Sequence, residues 1–139
     1  MYWTPRPKSG DIVQCRFPER VGVPGPKERP ALVLQVEEAI EDPDGCVVVV
    51  AYATSRRTHV LFPGEFAIEP NSKTGLTKLT KFDLVNQRVL PFDDEWFGPA
   101  PGKGPKHPRR GRLDLASESI KRRLHAAILE ARQMRKLLP

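Results

Sequence analysis

Arg29 stands just before the apolar stretch Pro30-Ala31-Leu32-Val33-Leu34, and Thr54-Ser55-Arg56-Arg57 follow directly on the run Val47-Val48-Val49-Val50-Ala51-Tyr52-Ala53. Guanidiniums and hydroxyls grouped in this way suit an anion. The planar fork of an arginine matches the oxygens of a phosphate and keeps its charge at any working pH. That permanence makes Arg29 a poor general base, so its task in a reaction would be to stabilise developing negative charge. Thr54 can donate a hydrogen bond to the same anion but has no acid–base pKa near neutrality. Taken alone, Arg29 also reads as a surface arginine beside a proline. Threonine closes many strands for hydrogen-bonding reasons only, and a basic turn such as 55–57 is often just solvated.

Two buried strands must position these groups. The first spans about 31–36 and the second 46–53, and the hairpin between them closes on Pro43-Asp44-Gly45. If the strands pair antiparallel, the start of one lies beside the end of the other. Arg29 and Thr54 then share one edge of the sheet.

The rest of the chain supplies further short strands. Ile12 to Phe17 alternates imperfectly, which predicts a strand with one face partly covered. Glu65-Phe66-Ala67-Ile68 predicts another, as do 76–85 and 88–92, with Asn86-Gln87 as a turn and Pro91 marking an edge. Between the first two strands lies a long loop, 18–29, with three prolines and two glycines. A loop of that length in a small domain is usually functional or disordered. Many short strands at close spacing indicate a β-barrel rather than βαβ units. Tyr52 reads as core. Trp96-Phe97 would pack the barrel end or a dimer seam in preference to stacking on a base.

A basic Pro/Gly linker without regular structure is expected over 98–112, and an amphipathic helix over 115–138. Its apolar stripe is Ile120, Leu124, Ile128, Ala131 and Leu138, and Ser117 is the N-cap candidate. Lys121, Arg122, His125, Arg132 and Lys136 fall mostly off that stripe. The division is a barrel at 1–97, the linker at 98–114 and the helix at 115–139, packed on the barrel or on a dimer.

The 139 residues suffice for one core. The formal charge of +6 is unevenly spread: residues 98–139 hold 11 Lys and Arg against 3 Asp and Glu, and residues 1–97 hold 12 against 14. A basic tail on a slightly acidic body points to polyanions, nucleic acid first, with a solvated helix face as the plain alternative. No apolar run is long enough to span a membrane, and Met1-Tyr2-Trp3-Thr4-Pro5-Arg6 lacks a signal-peptide core. A cytoplasmic protein is therefore expected. Cys15 and Cys46 read as small buried hydrophobes. His59, His107 and His125 are scattered, so neither a metal nor a cofactor site can be argued.

Gly10-Asp11-Ile12-Val13, Glu28-Arg29-Pro30-Ala31-Leu32-Val33-Leu34, Ala53-Thr54-Ser55 and the string from Gly75 to Asp83 occur in that order. Together they resemble the PemK/MazF toxins of type II toxin–antitoxin systems. The resemblance implies a mainly β chain with a C-terminal helix, an SH3-like barrel of the MazF/PemK/CcdB type. It implies a homodimer that cuts single-stranded RNA without a metal, and an antitoxin partner whose tail occupies the RNA groove. It casts Arg29 and Thr54 as the catalytic pair, with Lys27, Glu28, Ser55, Arg56 and Arg57 as substrate contacts. The loop 18–28 would move to admit RNA. No histidine matches the family's site, although His59 lies in the loop after Thr54. A non-catalytic barrel that binds nucleic acid, or one that inhibits DNA gyrase, is the competing function. The Arg-Pro-Ala-Leu-Val string with its Thr-Ser partner favours the nuclease.

Overall fold

β-Branched residues stiffen an extended backbone and pack well on a pleated surface. The run from Cys46 to Thr54 accordingly forms β3, and Arg29–Glu38 forms β2 beside it. A computed structural model describes residues 1–102 and 104–137; Lys103 of the expected linker and Leu138 of the expected helix stripe lie outside these. The remaining elements are β1 (Asp11–Cys15), β4 (Glu65–Ile68), β5 (Thr80–Pro91), β6 (Arg109–Arg112) and α1 (Glu118–Leu137). The strands form one antiparallel sheet in the order β4-β5-β3-β2-β1-β6. It curls into a half-barrel with a single C-terminal helix, the mostly β architecture that the resemblance implies.

Both faces of the sheet are covered. One carries Ile12, Leu32, Ala51, Ala53, Phe82 and Leu84, packed under Ile120, Ala127 and Ala131 of α1. The other carries Val13, Ala31, Val33, Val48 and Val50 beneath Phe92, Trp96 and Phe97. This explains why all five residues of β1 are buried, where the imperfect alternation predicts a partly covered face. Trp96 and Phe97 pack the barrel end, and the Trp3 indole donates to the Phe97 carbonyl at 3.0 Å.

Two further expectations need correction. Asn86-Gln87 is not a turn, because β5 runs unbroken from Thr80 to Pro91. Its register against β3 jumps from Ala51↔Gln87 to Tyr52↔Asp83, so the extra residues are absorbed as a bulge rather than a hairpin. Pro91 does sit where no strand needs its missing N–H, since β4 pairs only with 80–83. The segment 98–112 is not structureless either. Arg109–Arg112 adds β6 to the outer edge of β1, so the sheet extends past residue 97. The turn at 71–75 then reaches across to β6, and the Arg112 amide donates to the Lys73 carbonyl at 2.8 Å. Glycine is required at this approach: Gly75 has φ +67°, and a Cβ there would run into the Arg110 carbonyl.

Ser117 caps α1 by accepting the Ile120 amide at 3.4 Å. The helix is clipped down by polar contacts as well as by its stripe. Arg123 donates to the Ala67 carbonyl at 2.9 Å and Arg135 to the Leu84 carbonyl at 3.1 Å. Lys121, Arg122, His125, Arg132 and Lys136 are exposed.

One buried ion pair orders the loop that follows β3. Lys81 Nζ lies 3.1 Å from Glu65 Oε1, with the two side chains 6% and 9% exposed. Lys81 also donates to the Val60 carbonyl at 2.9 Å, and Glu65 accepts the Phe62 amide at 2.7 Å. Removing one partner strands a buried charge, which typically costs about 3–5 kcal/mol, whereas replacing both by apolar groups is far milder. Lys81→Ala is therefore expected to lower denaturant stability by roughly that amount. Lys81→Met with Glu65→Leu should recover most of the loss in the same urea titration.

Candidate functional site

The antiparallel register of β2 and β3 runs Leu32↔Ala51 and Val33↔Val50. Continued to the sheet end, it sets Arg29 against Thr54. The bulge in this pair lies between Val33 and Gln35, towards the hairpin, and leaves the site end undisturbed. Arg29 is half-buried, and its Nη1 donates to the Tyr52 hydroxyl at 3.1 Å. Tyr52 lies two residues before Thr54, on the same face of β3. Its ring stands edge-on to Phe17 at 5.3 Å between centroids. Packing thus fixes the phenol, and the phenol aims the guanidinium; the core reading of Tyr52 accounts for its ring but not for its hydroxyl.

Thr54 Oγ1 accepts the Arg56 amide at 3.1 Å. This turn contact uses a lone pair and leaves the hydroxyl proton free to be donated. Both residues line a cleft of about 320 Å³ together with Lys27, Ser55, Arg56, Lys78 and Arg110. Thr77 and Thr80 add hydroxyl-bearing side chains to the wall.

The electrostatics of this cleft are one-sided. Lys27, Arg29, Arg56, Lys78 and Arg110 are its five cations, and no Asp or Glu lines it. None of the five makes a salt bridge among the described residues, although other basic side chains nearby do. Arg16 pairs with Glu28, Lys73 with Asp114, Lys81 with Glu65, and both Arg109 and Arg112 approach Asp11. Like charges gathered without counter-ions raise the local potential and draw in an anion.

Two expected contacts lie elsewhere. Glu28 is turned out of the cleft towards Arg16, 3.0 Å away, because neighbours on an extended chain point to opposite sides. Arg57 has φ +52° and is exposed at the turn, so it redirects the chain rather than lining the wall. Glu28 therefore cannot orient Arg29, and Tyr52 takes that place.

Lys78, Thr77, Thr80 and Arg110 were not singled out by sequence. The first three sit inside the Gly75–Asp83 string, whose order is a legible signal. Arg110 lies in the basic segment that gives no strand pattern. It is half-buried, and burial pulls its pKa below the ordinary arginine value.

The histidines stand apart from the cleft. His59 is exposed in the turn after β3, and His125 is exposed on α1. His107 Nδ1 accepts the Arg109 amide at 3.0 Å, which leaves Nε2 to donate to the Pro5 carbonyl at 2.8 Å. It packs against Trp3 and Phe92 and so seats the start of β6. Among the described residues, no cluster of His, Cys, Asp or Glu has the spacing of a metal site.

A sequence model described as PemK-like, MazF-like toxin of type II toxin-antitoxin system matches residues 8–91. The chain belongs to this family. The match spans β1 to β5 and includes Arg29 and Thr54; β6 and α1 lie beyond it. Membership in a PemK/MazF toxin–antitoxin family brings a cognate antitoxin as partner. A search of curated proteins returned no match. No helix among the described residues is long and apolar enough to cross a membrane.

Cys15 and Cys46 are free and buried, on opposite sides of β2. Burial pushes both thiols up, with only a small opposing pull from Arg16 on the first and Arg6 on the second. Thiolate is the reactive form. The native PemK/MazF-type chain is therefore expected to leave both thiols unmodified by a thiol-specific chromogenic reagent at pH 7. Two equivalents should appear in guanidinium chloride, and prompt reaction of either thiol in the native protein would contradict this burial.

Proposed function

We propose that this toxin-family chain is a metal-independent endoribonuclease that cuts single-stranded RNA, with Arg29 and Thr54 as its catalytic pair. The observation that carries this reading is the gathering of five cations, all without carboxylate partners among the described residues, around the meeting point of Arg29 and Thr54. In such a reaction the substrate's own 2′-hydroxyl attacks the adjacent phosphorus. The 2′-hydroxyl gives up its proton to water, negative charge grows on the phosphoryl oxygens, and the 5′-oxygen departs and takes up a proton from water, leaving a 2′,3′-cyclic phosphate and a 5′-hydroxyl end. Arg29, held by Tyr52, supplies two-point donors to the phosphoryl oxygens where the charge grows. The free Thr54 proton adds a neutral donor to the same group. Lys27, Ser55 and Arg56 hold neighbouring phosphates. Blocked translation and growth would follow from destruction of messenger RNA.

The same reading makes the active form a homodimer, working in the cytoplasm. The antitoxin would present an acidic segment to the cleft, since carboxylates there would find five unpaired cations.

Incubation of long single-stranded RNA with the protein in EDTA tests the chemistry. Discrete fragments ending in cyclic phosphate are expected, and Arg29→Ala and Thr54→Ala should each slow cleavage by about 10²–10³. Intact RNA with the parent protein would refute the nuclease and leave a binding barrel. Full cutting by both variants would refute the pair. Binding to single-stranded RNA should weaken with salt, with a log–log slope no steeper than about −3.5 if the five cations meet five phosphates at about 0.7 each.

A further inference from the structure

Four of the cleft's cations come from within the family match at 8–91, and the fifth, Arg110, comes from β6, outside it. The way β6 docks explains how an arginine from there reaches the cleft. Its register against β1 runs Ile12↔Gly111 and then Val13↔Arg109. Consecutive residues on β1 are thus opposed by residues two apart on β6, and Arg110 is the extra one. A bulge of this kind re-aims the side chain of its extra residue. On the regular positions of the same strand, Arg109 and Arg112 point their Nε atoms at Asp11, 3.6 and 3.8 Å from its Oδ1. The bulge takes Arg110 away from that carboxylate and into the wall of the cleft.

Its guanidinium is held but not used up. Nε and Nη2 donate to the Gly75 carbonyl at 3.3 and 3.0 Å, and Nη1 donates to Gln14 Oε1 at 2.9 Å. A guanidinium has five N–H groups, so one on Nη1 and one on Nη2 remain. Both acceptors are neutral, and among the described residues no carboxylate cancels the charge. Fixing the fork in advance removes much of the ordering cost of binding an anion. The partly buried group has also already lost part of its water shell.

We propose that Arg110 is a phosphate-binding residue: its two spare N–H groups hold a backbone phosphate of single-stranded RNA beside the phosphate at Arg29 and Thr54. The inference rests on the reading that the cleft takes RNA. It makes β6 part of the substrate site, not only a filler of the β1 edge.

The test separates binding from cleavage. A fluorescein-labelled single-stranded RNA with 2′-O-methyl groups throughout lacks the nucleophile and cannot be cut. Its affinity is measured at several salt concentrations for the parent, Arg110→Ala, Arg110→Gln, Arg110→Lys and Arg112→Gln. The glutamine at 110 keeps a donor for the Gly75 carbonyl while removing the charge, so it carries the comparison if the alanine variant melts. Neutral variants at 110 should bind roughly tenfold more weakly, with a salt slope shallower by about 0.7. Arg110→Lys should restore the slope but not the full affinity, and Arg112→Gln should keep the parent slope. A folded neutral variant with parent slope and affinity would overturn the proposal, leaving Arg110 as a structural clip. Unmodified RNA run in parallel keeps the two readings apart. A parent that cuts, with no slope change at 110, leaves the nuclease standing without Arg110. A parent that binds without cutting, with the slope change present, removes the nuclease and keeps Arg110. A parent that binds no RNA removes both.

Discussion

The pairing of β2 with β3 is the constraint from which the site follows. Both strands bury side chains on both faces, against two different clusters. A slip by one residue would send Leu32 to the side that now holds Ala31 and Val33, exchanging side chains of unequal volume across a packed sheet. The register is therefore held by the core, far more firmly than surface contacts could hold it. Arg29 and Thr54 stand at the sheet end because hydrophobic packing several residues away leaves them no other place. The energy for this comes from apolar burial, and the polar groups at the margin add aim rather than stability.

Charge pairing sorts the basic residues into two kinds. Several basic residues that serve the fold have an anion: Lys81 has Glu65, Arg16 has Glu28, and Arg123 has Glu69. Around the cleft the pairing stops, although Glu28 and Asp11 lie close in sequence or in space to cleft residues. Each is occupied elsewhere, Glu28 by Arg16 and Asp11 by two arginines of β6. The uncompensated cluster is tolerable because most of it is in reach of water, where repulsion between like charges is weak. Its cost would fall away if a polyanion replaced that water.

Sequence carried much of this and stopped at identifiable points. β3 and β4 are legible because β-branched and alternating residues reveal them locally, and the Arg29–Thr54 juxtaposition follows from antiparallel pairing alone. β6 is not legible. Arg-Arg-Gly-Arg has no apolar alternation, and the strand exists only because the β1 edge, about a hundred residues earlier in the chain, offers hydrogen bonds to it. Arg110 depends further on a bulge and on a glycine turn, neither visible in composition. Glu28 and Arg57 fall outside the cleft wall for a simpler reason: proximity in sequence to Arg29 and Thr54 does not fix the direction of a side chain. The single β5 hid behind Asn86-Gln87, since a bulge and a turn draw on the same polar residues.

Closure of the β1 edge by so distant a strand gives the protein a history during its own synthesis. The chain leaves the ribosome N-terminus first, at about 5–20 residues per second. β1 and β6 are separated by about a hundred residues, so the outer edge of β1 stays open for roughly 5–20 s at that rate. Over that interval the nascent sheet offers its unpaired amides to any passing strand, and the cleft lacks one of its cations. The last wall of the site is set only after residue 112 has been made. Completion of the cleft and protection of the edge are therefore a single late event.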